Sequence, residues 1–288
     1  MKFSKVIGID LGATNVRGAI VDEHTVSAIF STTVMNNKTK EEVLDQVFGL
    51  VENLLEKDIT AIGIGVPSVV DVEKGIVYDV QYIPSWKEVP LKSLMESRFG
   101  IPVFINNDAN CFAAGEHYFG KGKGYASMVG LTIGTGLGAG LIFGNKLYTG
   151  TNCGAGEVGM FPYIDHVLEY YASGSFFKNI HGMEGLEVFK RATEGDIFAL
   201  RLFQEFGTHI GNAIKMVMYA YDPSIIILGG SVKSAFSFFE KSMWESIQTF
   251  PYLKSKENIK IAISELENSG VLGAAALCYD SQLHKPAL

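Results

Sequence analysis

Cysteine is scarce. Of 288 residues only Cys111, Cys153 and Cys278 carry thiols, and none lies in a C-x-x-C pair. An odd number without paired spacing argues against a disulfide framework and suits a reducing cytoplasm. Long apolar runs are missing as well: nothing approaches the roughly 18 residues of a membrane span. The opening MKFSKVIGID lacks the apolar stretch of a secretory signal. Basic residues are outnumbered, with 24 Lys and Arg against 31 Asp and Glu, a net charge of −7. No cluster of five or more basic residues offsets that balance, so a nucleic-acid partner is not expected. Small anions stay open, because backbone amides hold them without net positive charge.

What is present is a globular composition, 47% hydrophobic and 19% charged, long enough for one large domain or two medium ones. Val6–Asp10 reads as a strand, LGATN as a turn, and Val16–Asp22 as a second strand; Ser27–Val34 is a candidate third. Residues 39–56 read as a helix with a Thr39/Glu42 capping box and an apolar face of Val43, Val47, Leu50 and Leu54. Strands at 61–67 and 103–106 follow, and Asp108 opens a helix to Phe119. The order then restarts. Residues 127–134 form a strand and 139–150 a hairpin turning at Gly144-Asn145. A long helix from Asp196 to Tyr221, a strand at 224–230, a helix at 232–249, a strand at 259–264 and a last helix from 270 complete the chain. Two halves of similar order argue an α/β fold, divided near 117–125.

GTGLGAG (134–140) has neither the spacing of a dinucleotide-binding turn nor a helix after it, and no P-loop pattern occurs. By itself it is equally a tight hairpin that needs glycine. DLGATN (10–15) is a second such turn, bearing Asp10, Thr14 and Asn15. Two glycine hairpins facing each other across a cleft would grip a polyphosphate through exposed N–H groups. Asp10 at a strand end suits Mg²⁺, directly or through water, or equally a turn cap. In INNDAN, Asp108 is a candidate general base flanked by Asn107; the alternative is an N-cap. Glu157 and Glu169 bracket the apolar, aromatic stretch 158–168, either as surface charges or as two acceptors aimed at a ligand.

These motifs together resemble the ROK family of sugar kinases and sugar-responsive repressors over nearly the whole chain. DLGATN resembles its first phosphate motif, GVPSVVD (65–71) its G-x-P-G-x-V-D element with Ser68 for glycine, and NNDAN the catalytic segment. GTGLGAGLI resembles the second phosphate motif, GTNCGAGEVG (150–159) the sugar segment, and DPSIIILGG the adenosine-side strand. The resemblance implies an actin-like, RNase H-like fold of two α/β domains, 1–117 plus 271–288 and 118–270, with an active-site cleft, a hinge, and a homodimer. It implies transfer of the γ-phosphoryl group of ATP, with Mg²⁺, to a hexose hydroxyl, foremost glucose O6. N-acetylmannosamine, N-acetylglucosamine, fructose and glycosides are the alternatives. In that scheme Asp108 is the catalytic base. Asp10, Gly12, Ala13, Thr14, Asn15, Gly134, Thr135, Gly136, Gly138, Gly229 and Gly230 hold the nucleotide and its metal. Gly65, Asn107, Asp108, Glu157 and Glu169 hold the sugar. The repressors carry a DNA-binding extension before the first motif, for which residues 1–9 leave no room.

Two departures stand out. The family's zinc motif is missing: Met160 replaces its histidine, no cysteine lies between 154 and 277, and only thirteen residues span Glu157 to Glu169. No zinc site is therefore expected. Burial of Met160 and Phe161 is the expected substitute for its ordering effect. Tyr82 stands where the family often has asparagine, which weakens any inference about the sugar.

Overall fold

A computed structural model describes residues 4–12, 15–22, 25–33, 38–80 and 83–284. The chain divides into two compact units. The first comprises Met1–Lys123, Lys146–Ala155 and Leu266–Leu288; the second comprises Gly124–Asn145 and Gly156–Glu265.

The first unit is built on a five-stranded sheet in the order Phe30–Thr33, Asn15–Asp22, Lys5–Leu11, Ala61–Val66, Val103–Asn107. Lys5–Leu11 runs antiparallel to Asn15–Asp22 and parallel to Ala61–Val66, which is parallel to Val103–Asn107. The expected third strand is formed over Phe30–Thr33; Val34 lies outside the described residues. The Lys40–Leu54 helix starts as its sequence dictates. Thr39 Oγ1 accepts from the Glu42 N–H at 3.3 Å and Glu42 Oε2 from the Thr39 N–H at 2.8 Å. Val43, Val47, Leu50 and Leu54 are all buried, so the four-three-four spacing is the core-facing stripe. The Ser269–Asp280 helix packs on the same sheet at very close range. A Cβ at Gly63 would lie 1.8 Å from the Ala274 carbonyl oxygen, so this strand position excludes every larger residue. All three cysteines are free and buried.

In the second unit the strands run in the order Leu137–Phe143, Ser127–Ile133, Ile225–Gly229, Lys260–Ile263. Ser127–Ile133 is antiparallel to Leu137–Phe143 and parallel to Ile225–Gly229. Each unit thus repeats one plan: a strand, an antiparallel neighbour after a glycine turn, then a parallel strand on the other side. Gly144 and Asn145 both have positive φ, 58° and 63°, as the expected turn requires. The Ile197–Tyr221 helix is capped by Asp196, whose Oδ1 accepts from the Ala199 N–H at 3.0 Å. The helix expected over 232–249 is split: a 3₁₀ turn at Ser231–Ala235 precedes the Phe236–Ile247 helix. Among the described residues no helix is long and apolar enough to cross a membrane.

Candidate active site

In the first unit lie two of the candidate carboxylates, Asp10 and Asp108. Asp10 stands near the end of its strand, in register with Arg17 on one side and Gly65 on the other. That register brings Arg17 Nη2 to 2.5 Å from Asp10 Oδ2. The turn beyond Asp10 is closed by the Gly12 N–H donating to the Asn15 carbonyl at 2.9 Å. Ala13, Thr14 and Tyr82 lie outside the described residues. Asp108 is exposed at the first position of the Asp108–Tyr118 helix. The N-cap is its neighbour: Asn107 Oδ1 accepts from the Ala109 N–H at 2.9 Å, and Asn107 Nδ2 donates to the Ser68 carbonyl at 3.3 Å. Asp108 is thereby relieved of the capping role that was its bland alternative, although its Oδ1 also accepts from Ala109 N–H at 2.8 Å. Burial pushes the Cys111 thiol well up, and the charges of Asp108 and Asp10 push it further. Gly65 packs there too, a Cβ on it falling 3.1 Å from Cys111 Sγ.

Behind Asp108 lies a buried polar network that sequence reasoning missed. Asn106 is 3% exposed. Its Oδ1 accepts from Asn107 N–H at 2.9 Å, from Asn110 Nδ2 at 2.9 Å and from the Cys153 thiol at 3.3 Å. Cys153 thus ties the start of the GTNCGAGEVG segment to the end of the strand that leads into the Asp108 helix. The repeated asparagines of INNDAN were the signal: buried amides require partners. Arg17 was also missed, although the hairpin register places it opposite Asp10.

In the second unit the turn between Ile133 and Leu137 is held from three sides. Gly134 N–H donates to Gly136 O at 3.0 Å, and Gly174 N–H to Gly134 O at 2.7 Å. The Ser175 hydroxyl donates to Thr135 O at 2.7 Å. Glu169 Oε2 accepts from Leu137 N–H at 2.8 Å. A Cβ at 136 would lie 2.5 Å from that same oxygen, so a larger residue there would displace the Glu169 carboxylate. Thr135 is exposed at the tip, and Gly138 follows in the strand. Beside this turn opens a cavity of about 550 Å³. Gly134, Thr135 and Ser175 line it together with Lys178 and Glu184, and Phe177, Leu186 and Phe189 are among its apolar lining. Gly229 and Gly230 end the Ile225–Gly229 strand and deliver Ser231 and Val232 to the same cavity. The aromatic wall was missed, because its residues come from segments without a local signature.

Glu157 precedes the Val158–Met160 turn, and its carboxyl is raised above the usual range, first by partial burial and then by the charge of Glu169. The two glutamates are therefore neighbours. The expected packing role of Met160 is wrong: its side chain is 58% exposed. The shortened segment is ordered instead by a Pro162–Tyr163/His166–Val167 hairpin and aromatic hydrogen bonds. Tyr163 Oη lies 3.0 Å from His209 Nδ1 and accepts from Asn212 Nδ2 at 2.7 Å, while the Tyr171 hydroxyl donates to Asp165. Among the described residues no three His, Cys, Asp or Glu side chains cluster as a metal site would need.

Comparison with known proteins gives a consistent picture. Residues 6–281 match the ROK family. A glucokinase of Thermotoga maritima is 28% identical, over 95% of this chain and 96% of its own length. A xylose repressor of Caldicellulosiruptor bescii is 28% identical, over 98% of this chain and 79% of its own. The crystal structure of a ROK family glucokinase from Streptomyces griseus with glucose and AMPPNP matches with a TM-score of 0.79 at 29% identity, covering 95% of this chain and 99% of that one. With its motifs, its repeated sheet plan and this match across nearly its full length, the chain belongs to the ROK family and has that family's actin-like α/β fold.

Proposed function

We propose that this protein is an ATP-dependent sugar kinase that phosphorylates a hexose, foremost glucose at O6. The observation that carries this reading is the cavity of about 550 Å³ whose lining combines the glycine turn at Gly134 and Thr135 with the apolar side chains of Phe177, Leu186, Phe189 and Phe203. A nucleotide needs that combination: amides for phosphates, apolar surface for a base. In this reading the Gly134–Gly136 turn, with Thr135 at its tip and Gly138 behind it, receives the phosphates. Gly229 and Gly230 set the adenosine side. Gly12, Ala13, Thr14 and Asn15 supply the second phosphate turn. Asn107, Gly65, Glu157 and Glu169 orient the sugar.

Asp108, exposed and not needed as a cap, takes the proton of the sugar hydroxyl. The hydroxyl oxygen bonds to the γ-phosphorus, the bond to the β–γ bridging oxygen breaks, and ADP leaves. Asp10 fits an Mg²⁺ role, since that ion commonly binds one or two carboxylates besides phosphates and water. When bound, Mg²⁺ offsets charge on the phosphoryl oxygens; Arg17, paired with Asp10, holds the carboxylate in place.

Similarity to glucokinases supports glucose over N-acetylmannosamine, N-acetylglucosamine, fructose or a glycoside. Family resemblance supports a cytoplasmic homodimer. A sugar-responsive regulator is the second reading, favoured by the match to a xylose repressor. A hexose panel with coupled detection of ADP release decides between them. Sugar-dependent turnover is the expected result. Sugar binding without any turnover of ATP would overturn the kinase reading.

A further inference from the structure

We propose that Glu169 is a positioning residue for the nucleotide-phosphate turn, bracing Leu137 N–H with Oε2 while Oε1 remains for a sugar hydroxyl. The inference rests on the kinase reading for what the turn and the carboxylate bind; the brace itself is geometric. Glu169 lies 32 residues after Leu137, yet its Oε2 accepts from that N–H at 2.8 Å. Gly136 leaves a space that a Cβ would fill to within 2.5 Å of the same oxygen, so turn and carboxylate fit each other closely. Gly159 is fitted to the pair as well, a Cβ there meeting Leu137 O at 2.4 Å and Glu169 Cβ at 3.4 Å. Among the described residues nothing hydrogen-bonds to Oε1.

The consequence is a shared group. A turn that offers amides to phosphate must keep them aimed outward, and a charge-assisted bond to Leu137 N–H fixes the residue that follows Thr135 and Gly136. A carboxylate has acceptor capacity on both oxygens, so one can brace while the other accepts from a sugar. Sugar and nucleotide then bias the same side chain, and any coupling between their affinities is reciprocal.

The test uses the full chain and a non-hydrolysable ATP analogue without sugar, then steady-state kinetics. Glu169→Ala removes brace and sugar ligand together. It is expected to weaken nucleotide binding by about tenfold, the lower end for a lost hydrogen bond to a charged group. KM should rise for both ATP and sugar. Glu169→Gln keeps an amide oxygen able to accept from Leu137 N–H, so its nucleotide affinity should return to near wild type while KM for sugar stays high. Gly136→Ala attacks the brace from the other side and should weaken nucleotide binding with Glu169 intact, which serves if Glu169→Ala does not fold. Glu169→Ala or Gly136→Ala binding the analogue within about twofold of wild type overturns the brace alone. Wild-type protein that binds no analogue at all overturns the kinase reading itself.

Discussion

Arg17 Nη2 and Asp10 Oδ2 are 2.5 Å apart, joined across the two strands that flank the first glycine turn. Asp10 is the more enclosed partner, its side chain 15% exposed against 45% for Arg17. Asp10→Asn is expected to raise the Mg²⁺ concentration for half-maximal turnover by about tenfold or more. The fold should persist, because a pair with one largely exposed member contributes at most about 1 kcal/mol. An unchanged magnesium titration would remove Asp10 from the metal role.

Asp108→Asn should lower kcat by ~10²–10⁴-fold, the usual contribution of a positioned base. Because Asn107 caps the helix, the melting temperature should stay close to wild type and the ATP analogue should still bind. Near-normal turnover would sink the assignment of Asp108.

Cys153 has φ 57° and a buried thiol bonded to Asn106. Cys153→Val loses that bond and places a β-branched side chain in the left-handed region. A loss of about 1–3 kcal/mol in stability is expected. Cys153→Ser, which can still donate to Asn106, should lose less. Equal chemical-denaturation midpoints for wild type and the valine variant would contradict this.

The Tyr163–His209 contact should make the hairpin region sensitive to acid. Burial holds the His209 pKa below the ordinary 6.5, against the opposing charge of Glu205. The unfolded chain therefore binds its proton first as pH falls. Stability linked to the neutral ring is complete above 6.5 and declines as pH drops through it. Melting temperatures at about pH 8 and about pH 5 should differ more for wild type than for His209→Gln. An equal difference in both proteins would show that this ring does not carry the effect.

The missing zinc motif, with Met160 in place of its histidine and no cysteine between 154 and 277, gives a further expectation. Prolonged chelation should leave the melting temperature unchanged, and Tyr163→Phe should lower it. Elemental analysis of untagged protein should find less than one zinc per chain. Stoichiometric zinc resisting dialysis would refute this.

The sequence by itself determined the local elements and the chemistry-bearing turns. The capping box at Thr39 and Glu42, the buried stripe from Val43 to Leu54 and the Asp196 cap depend on neighbours within a few residues, where spacing and hydrogen-bonding capacity settle the outcome. The motif order identified the family because glycine turns need particular residues at fixed offsets. Tertiary structure alone decided the rest. Leu137 meets Glu169, Cys153 meets Asn106 and Tyr163 meets His209 across 32, 47 and 46 residues. Met160, apolar and flanked by Gly159 and Phe161, read as buried yet faces water, while the hairpin beside it is held through tyrosine hydroxyls. Which hydrogen-bonding groups become partners depends on where the sheets bring distant segments, and no local pattern encodes that meeting.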